Sequence, residues 1–92
     1  MNDTIILNLD GIVLKSKEEL HNTIFYQLAL PEYYGRNLDA LWDVLSTWSA
    51  PLRIEVTHTE LLKKHLAGYA DSLLELLYDA RRENDMIILN IS

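Results

Sequence analysis

The sequence predicts an α/β domain: a three-stranded parallel sheet with about four helices packed on it. Three observations carry this. First, three short runs are bounded by turn and loop signals: TIILNL at residues 4–9 and MIILNI at 86–91 are almost continuously apolar and rich in isoleucine, and LRIEVT at 52–57 follows Pro51. Such runs read as buried strands. Second, the segments between them carry helix start and stop signals, and strands alternating with helices imply a parallel sheet with helical crossovers. Third, a chain of 92 residues has the size of one domain, so a single domain spanning 1–92 is expected.

Each element follows from local chemistry. The first strand ends at Asp10-Gly11, a turn signal. Ser16 opens SKEE, and Glu19 three residues on completes a capping box. A helix should run from about residue 17 to 29, burying Leu20, Ile24 and Leu28, until Pro31 pushes its predecessor out of helical geometry. PEYYGRN is a loop with Gly35 as its break, and Asn37 is a good N-cap for a second helix from about residue 38 to 47. Pro51 closes the next loop before the second strand. Thr59 is expected to cap a short third helix, ELLKKHLA, stopped by Gly68. A fourth helix is expected from about residue 71 to 83, burying Leu73, Leu76, Leu77 and Ala80. The last apolar run then supplies the third strand.

Composition excludes several functions. With no cysteine, neither disulfides nor thiolate chemistry are available. His21, His58 and His65 form no HxxxH or HExxH pair, so no metal site is expected, and surface or capping roles suit them better. There is no glycine-rich phosphate loop, and no cofactor or small-molecule substrate is implied. A net charge of −6 argues against nucleic acid as a ligand and favours a basic partner or simple solubility. No apolar run approaches the roughly 20 residues needed to span a bilayer. The segment MNDTIILNLDG lacks a basic leader and a long apolar region, so no signal peptide and a cytoplasmic location are expected.

The second helix has two stripes. At about 100° per residue, Leu38, Leu41, Leu45 and Trp48 cluster on one side and should be core. Asp39, Asp43 and Ser46 fall on another side, with Trp42 on the flank between. Asp39 sits in the first turn, where the helix dipole favours a carboxylate. Asp43 lies a turn further in and repels Asp39 across i, i+4; no basic residue follows at position 47. The pattern leaves open a solvated acidic face or a face for a cationic partner. Tyr33, Tyr34, Trp42 and Trp48 stand densely beside the acids, as aromatic residues do in interface hot spots. A glycosidase-type carboxylate pair is disfavoured, because one exposed helix supplies no pocket. An enzyme is not expected.

The stretch LPEYYGRNLDALWDVLSTW, residues 30–48, resembles the barstar family, intracellular inhibitors of the secreted ribonuclease barnase. The likeness extends through LHNTIFYQLA, PLRIE, SLLELLYDA and the last strand, and is poor over residues 56–69. It implies a three-stranded parallel sheet with helices packed on it, and a second helix and preceding loop that plug the ribonuclease active site. Acidic side chains would occupy the places of substrate phosphates. The resemblance assigns partner contacts to Tyr33, Gly35, Asn37, Leu38, Asp39, Trp42, Asp43, Ser46 and Trp48, and to Asp79 on the fourth helix. The implied partner is a barnase-like ribonuclease, with this chain acting as an immunity or self-protection protein; the alternative is a module of the same fold neutralising a different basic protein or toxin. The chain departs from the family at Arg36, where barstar is acidic; that arginine either meets a carboxylate on its own enzyme or pairs locally with Asp39. Asp79 replaces a glutamate and could instead pair with Arg82. The loop before Pro51 is shorter and lacks an aromatic, and Val44 replaces a cysteine.

Overall fold

The computed structural model describes residues 4–92. The elements run β1 (Ile5–Asp10), α1 (Lys17–Gln27), α2 (Leu38–Ser46), β2 (Leu52–Thr57), α3 (Thr59–Leu66), α4 (Gly68–Glu83) and β3 (Ile87–Ile91). The strands pair in parallel in the order β1-β2-β3. The expected class, strand number and helix number all hold.

The sheet is covered on one face only. Strand side chains alternate in direction, and one set, Leu7, Leu9, Leu52, Ile54, Val56, Ile87 and Leu89, is buried. The other set forms open rows: Ile6, Arg53 and Ile88 in register, then Asn8, Glu55 and Asn90. Ile6 and Ile88 are about half exposed, at 47% and 51%. The reading of fully buried strands is corrected here, because isoleucine occupies both faces and hides the period of two. Parallel sheets are usually covered on both sides; here Asn90 Nδ2 donates to Glu55 Oε2 across the open face at 2.6 Å.

The outer edge of β1 is also covered. Gln27, the last residue of α1, accepts from the Asn8 N–H through Oε1 at 2.7 Å. Its Nε2 donates to the Asn8 carbonyl at 3.1 Å.

α1 forms as its capping box requires. Glu19 N donates to Ser16 Oγ at 3.1 Å, and Glu19 Oε1 accepts from the Lys15 N–H at 3.1 Å. Leu20, Ile24 and Leu28 are buried as expected, and so is His21 at 1% exposure. The helix stops at Gln27, two residues before the expected end, because Ala29 turns left-handed with φ 50°.

Two helix-terminus expectations fail. Thr59 does not cap α3: its Oγ1 donates to the Ser92 carbonyl at 2.6 Å, and the left-handed His58 at the N-cap makes no side-chain cap. Gly68 does not stop α3: it begins α4, three residues earlier than expected. The break falls on Ala67, with φ 52° and ψ −132°. On α4 Leu74 is buried in place of Leu76, which is half-buried towards α2.

Gly11 is required by close approach. It follows β1, and its N–H donates to the Thr57 carbonyl at 2.9 Å. A Cβ there would stand 2.1 Å from the His58 carbonyl oxygen and 2.6 Å from the Leu62 nitrogen. Both are backbone atoms at the start of α3, so neither can move aside cheaply.

Candidate functional site

α2 is presented as a ridge. Its first turn is set by Asn37, whose Oδ1 accepts from the Ala40 N–H at 2.8 Å while its Nδ2 donates to the Gly35 carbonyl at 3.2 Å. A Cβ on Gly35 would stand 3.3 Å from both Ala40 Cβ and Asn37 Nδ2, a tight contact that would push on the capping side chain. The far end is held from the C-cap of α4: Asn84 Nδ2 donates to the carbonyls of Leu45 at 2.9 Å and Trp48 at 2.8 Å. The Leu45 carbonyl also accepts from the Trp48 N–H at 3.3 Å, so Asn84 completes the satisfaction of this helix terminus.

The apolar stripe roots this ridge. Leu41 and Leu45 are fully buried, each side chain stabilising the fold by about 1.5–3 kcal/mol. Leu38 and Trp48 are only half-buried, which corrects the expectation of a fully buried stripe. Each sits at an end of α2 and lines a surface concavity instead.

Those concavities flank α2. One, of about 600 Å³, is lined by Tyr33, Tyr34, Gly35, Asp43, Thr47 and Trp48 among others. The other, of about 310 Å³, lies between α2 and α4 and is lined by Leu38, Asp39, Trp42, Glu75, Leu76 and Asp79 among others. Each aspartate therefore borders its own hollow. Both are exposed, and among the described residues neither takes part in an ion pair. Ser46 is half-buried and turned back, its Oγ donating to the Asp43 carbonyl at 3.5 Å. Tyr33 is 88% exposed at the mouth of the first hollow. Asp79 shares the second hollow with Asp39 but is ion-paired with Arg82.

Arg36 does not pair with Asp39. Its backbone is left-handed, with φ 51°, so the break in the loop falls here and not at Gly35. Its Nε donates to Asn22 Oδ1 on α1 at 2.9 Å, and its guanidinium lies 4.5 Å from the Phe25 ring centroid. Arg36 is thus directed at α1 and does not neutralise Asp39 or Asp43.

Sequence reasoning missed a buried polar cluster behind the loop. His21 Nδ1 lies 2.8 Å from Tyr34 Oη, and Nε2 lies 2.7 Å from Tyr69 Oη. Burial, and secondarily the Arg36 charge, hold the imidazole below its ordinary pKa. Burial also pushes the Tyr34 hydroxyl up to about 12. The expected surface or capping role for His21 is corrected by its 1% exposure. A signal was present: His21, Ile24 and Leu28 share one helical stripe at spacings of three and four.

Comparison with known proteins fits this geometry. Residues 4–90 match the family described as Barstar (barnase inhibitor). The chain belongs to the barstar family. Its members are inhibitors of a ribonuclease and not enzymes. A Bacillus subtilis (strain 168) protein named "Putative ribonuclease inhibitor YrdF" is 41% identical over 76 residues, covering 82% of this chain and 84% of that protein. The match to the barstar family also spans α3 and the start of α4, outside the segments that carry the resemblance in the sequence. Among the described residues, no helix is long and apolar enough to cross a membrane.

Proposed function

We propose that this barstar-family protein inhibits a small barnase-like ribonuclease in the cytoplasm by docking α2 and the loop at residues 31–37 into the enzyme's active site. One observation carries the reading: Asp39 and Asp43 stand exposed and without an ion pair among the described residues, each beside a hollow rimmed by aromatic or apolar side chains. A ribonuclease active site offers Arg, Lys and His to phosphate, and carboxylates pair strongly with such groups, often bidentately with arginine. The i, i+4 repulsion between the two aspartates would then be relieved on binding. Tyr33, Gly35, Asn37, Leu38, Trp42, Ser46 and Trp48 would supply the surrounding contact, with the aromatics excluding water from the charge pairs. Asp79 would contribute only by releasing Arg82, so its part in the contact is the smallest.

A ribonuclease titration tests this, using barnase and the producing cell's own secreted nuclease. Stoichiometric loss of activity is expected, weakened by Asp39→Ala and by Asp43→Ala. Full ribonuclease activity at excess protein would defeat the reading. Tight binding to a different basic toxin would then favour the module reading.

A further inference from the structure

The loop that bears Tyr33 and Gly35 is fixed from behind, by α1. Its residues alternate in direction. Tyr33 is 88% exposed while Tyr34 is 6% exposed; Gly35 is exposed, while the Arg36 side chain turns back onto Asn22 and Phe25. Tyr34 and Arg36 therefore turn towards α1 and meet it at three residues: His21, Asn22 and Phe25. His21 in turn reaches Tyr69 in the first turn of α4.

We propose that His21, Asn22 and Phe25 are positioning residues for partner binding, which clamp Tyr34 and Arg36 so that the loop ahead of α2 is held ready before the partner arrives. This rests on the inhibitor reading above.

The chemistry of the clamp supports the assignment. A neutral imidazole has one donor and one acceptor nitrogen. Bridging two hydroxyls, it must accept from one tyrosine and donate to the other, which fixes both rings. Arg36 adds a second, independent hold. Its Nε–H bond and its stacking on Phe25 are directional in a way a lysine could not copy. Its φ of 51° is a conformation that L residues adopt at a cost, which the two side-chain contacts help to offset. An arginine whose contacts are directed at α1 acts on partner binding through the loop. Loops ordered in advance reduce the ordering entropy lost on association.

The test uses variants behind the loop. Asn22→Ala removes one hold at a half-buried position and leaves the core intact. Tyr34→Phe and His21→Gln remove the other. Amide hydrogen exchange of residues 33–37 is measured in the free protein, and association and dissociation rates against barnase are measured separately. Exchange at the loop should quicken in each variant, while the sheet amides keep their protection. Dissociation should speed by about threefold to tenfold, the scale of one or two immobilised side chains, with association little changed because the acidic face is untouched. Loop exchange and dissociation both as in wild type for Asn22→Ala and Tyr34→Phe would overturn the proposal. A wild-type protein that binds no ribonuclease would defeat the inhibitor reading instead, and loop exchange would still decide whether α1 holds the loop.

Discussion

Asp43→Ala should move stability and binding in opposite directions. The Asp43 side chain is exposed and makes no hydrogen bond or ion pair among the described residues; only its backbone carbonyl is engaged, by Ser46 and by Thr47 Oγ1 at 2.6 Å. Truncation opens no cavity. Alanine is the better helix former by about 0.5 kcal/mol, and the repulsion with Asp39 that it removes is worth about 0.2–0.5 kcal/mol. The sum is a gain of about 0.7–1 kcal/mol, or a melting temperature raised by about 3–8 °C for a chain of this size. Binding should fall by about 2–5 kcal/mol, a range to which the barnase–barstar pair itself contributes, because the enzyme's cation would be buried without its counter-charge. That is a dissociation constant weakened by about 30-fold to several thousand-fold. Wild-type association should also slow with added salt, since screening confines exposed charge to about 8 Å at physiological ionic strength. Denaturant melts and a ribonuclease titration measure the two halves. A variant that inhibits like wild type would remove Asp43 as an anchor, and one that unfolds would make its role structural.

Three further outcomes are expected. Ala67→Gly should stabilise the protein by about 1 kcal/mol or more, because φ 52° with ψ −132° is a conformation open to glycine and costly for a residue with a Cβ; an unchanged melt would refute that assignment of strain. Gly11→Ala should destabilise by about 3 kcal/mol or more, as overpacking against immovable backbone does at its upper end, and wild-type stability would contradict the close contact. Acidification should weaken the fold through His21. Its pKa is lowered on folding, chiefly by burial, so the unfolded state binds the proton more readily. This contribution is complete above the ordinary value of about 6.5 and is lost as pH falls through it towards the folded value. The stability gap between wild type and His21→Gln should therefore narrow from pH 7 to pH 5, and a constant gap would count against a neutral buried imidazole.

The fold was legible wherever a local signal had a single meaning. The Ser16 and Asn37 caps, the Leu52–Thr57 strand and the exposure of Asp39 and Asp43 follow from residue type and spacing alone, and the structure reproduces them. The misreadings share a cause. Gly68 invited a stop, yet backbone conformation near a helix junction is set by packing, and the positive-φ break fell one residue earlier on Ala67. Isoleucine at 6 and 88 made β1 and β3 look buried on both faces. At the site, the acidic face was visible in sequence because repulsion between aspartates has no folding purpose. The clamp behind the loop was not, since His21, Tyr34 and Tyr69 are brought together across 48 residues of chain and only tertiary packing can do that. Arg36 read as a charge beside other charges; its direction towards Phe25 is a property of φ that its neighbours do not encode.

Gln27 bears on how the molecule behaves when concentrated. A carboxamide is nearly isosteric with a peptide unit, and at Asn8 it takes both the donor and the acceptor that another strand would need. It thus acts as one residue of a fourth strand that cannot be extended. Unpaired strand edges recruit other chains, and isoleucine-rich ones such as IILNLD do so readily. Blocking the middle of a six-residue edge divides it into fragments too short to hold an intruder in register. An inhibitor works only while it remains free to meet its target, and on the β1 edge a single side chain at the end of α1 takes away the central pairing site.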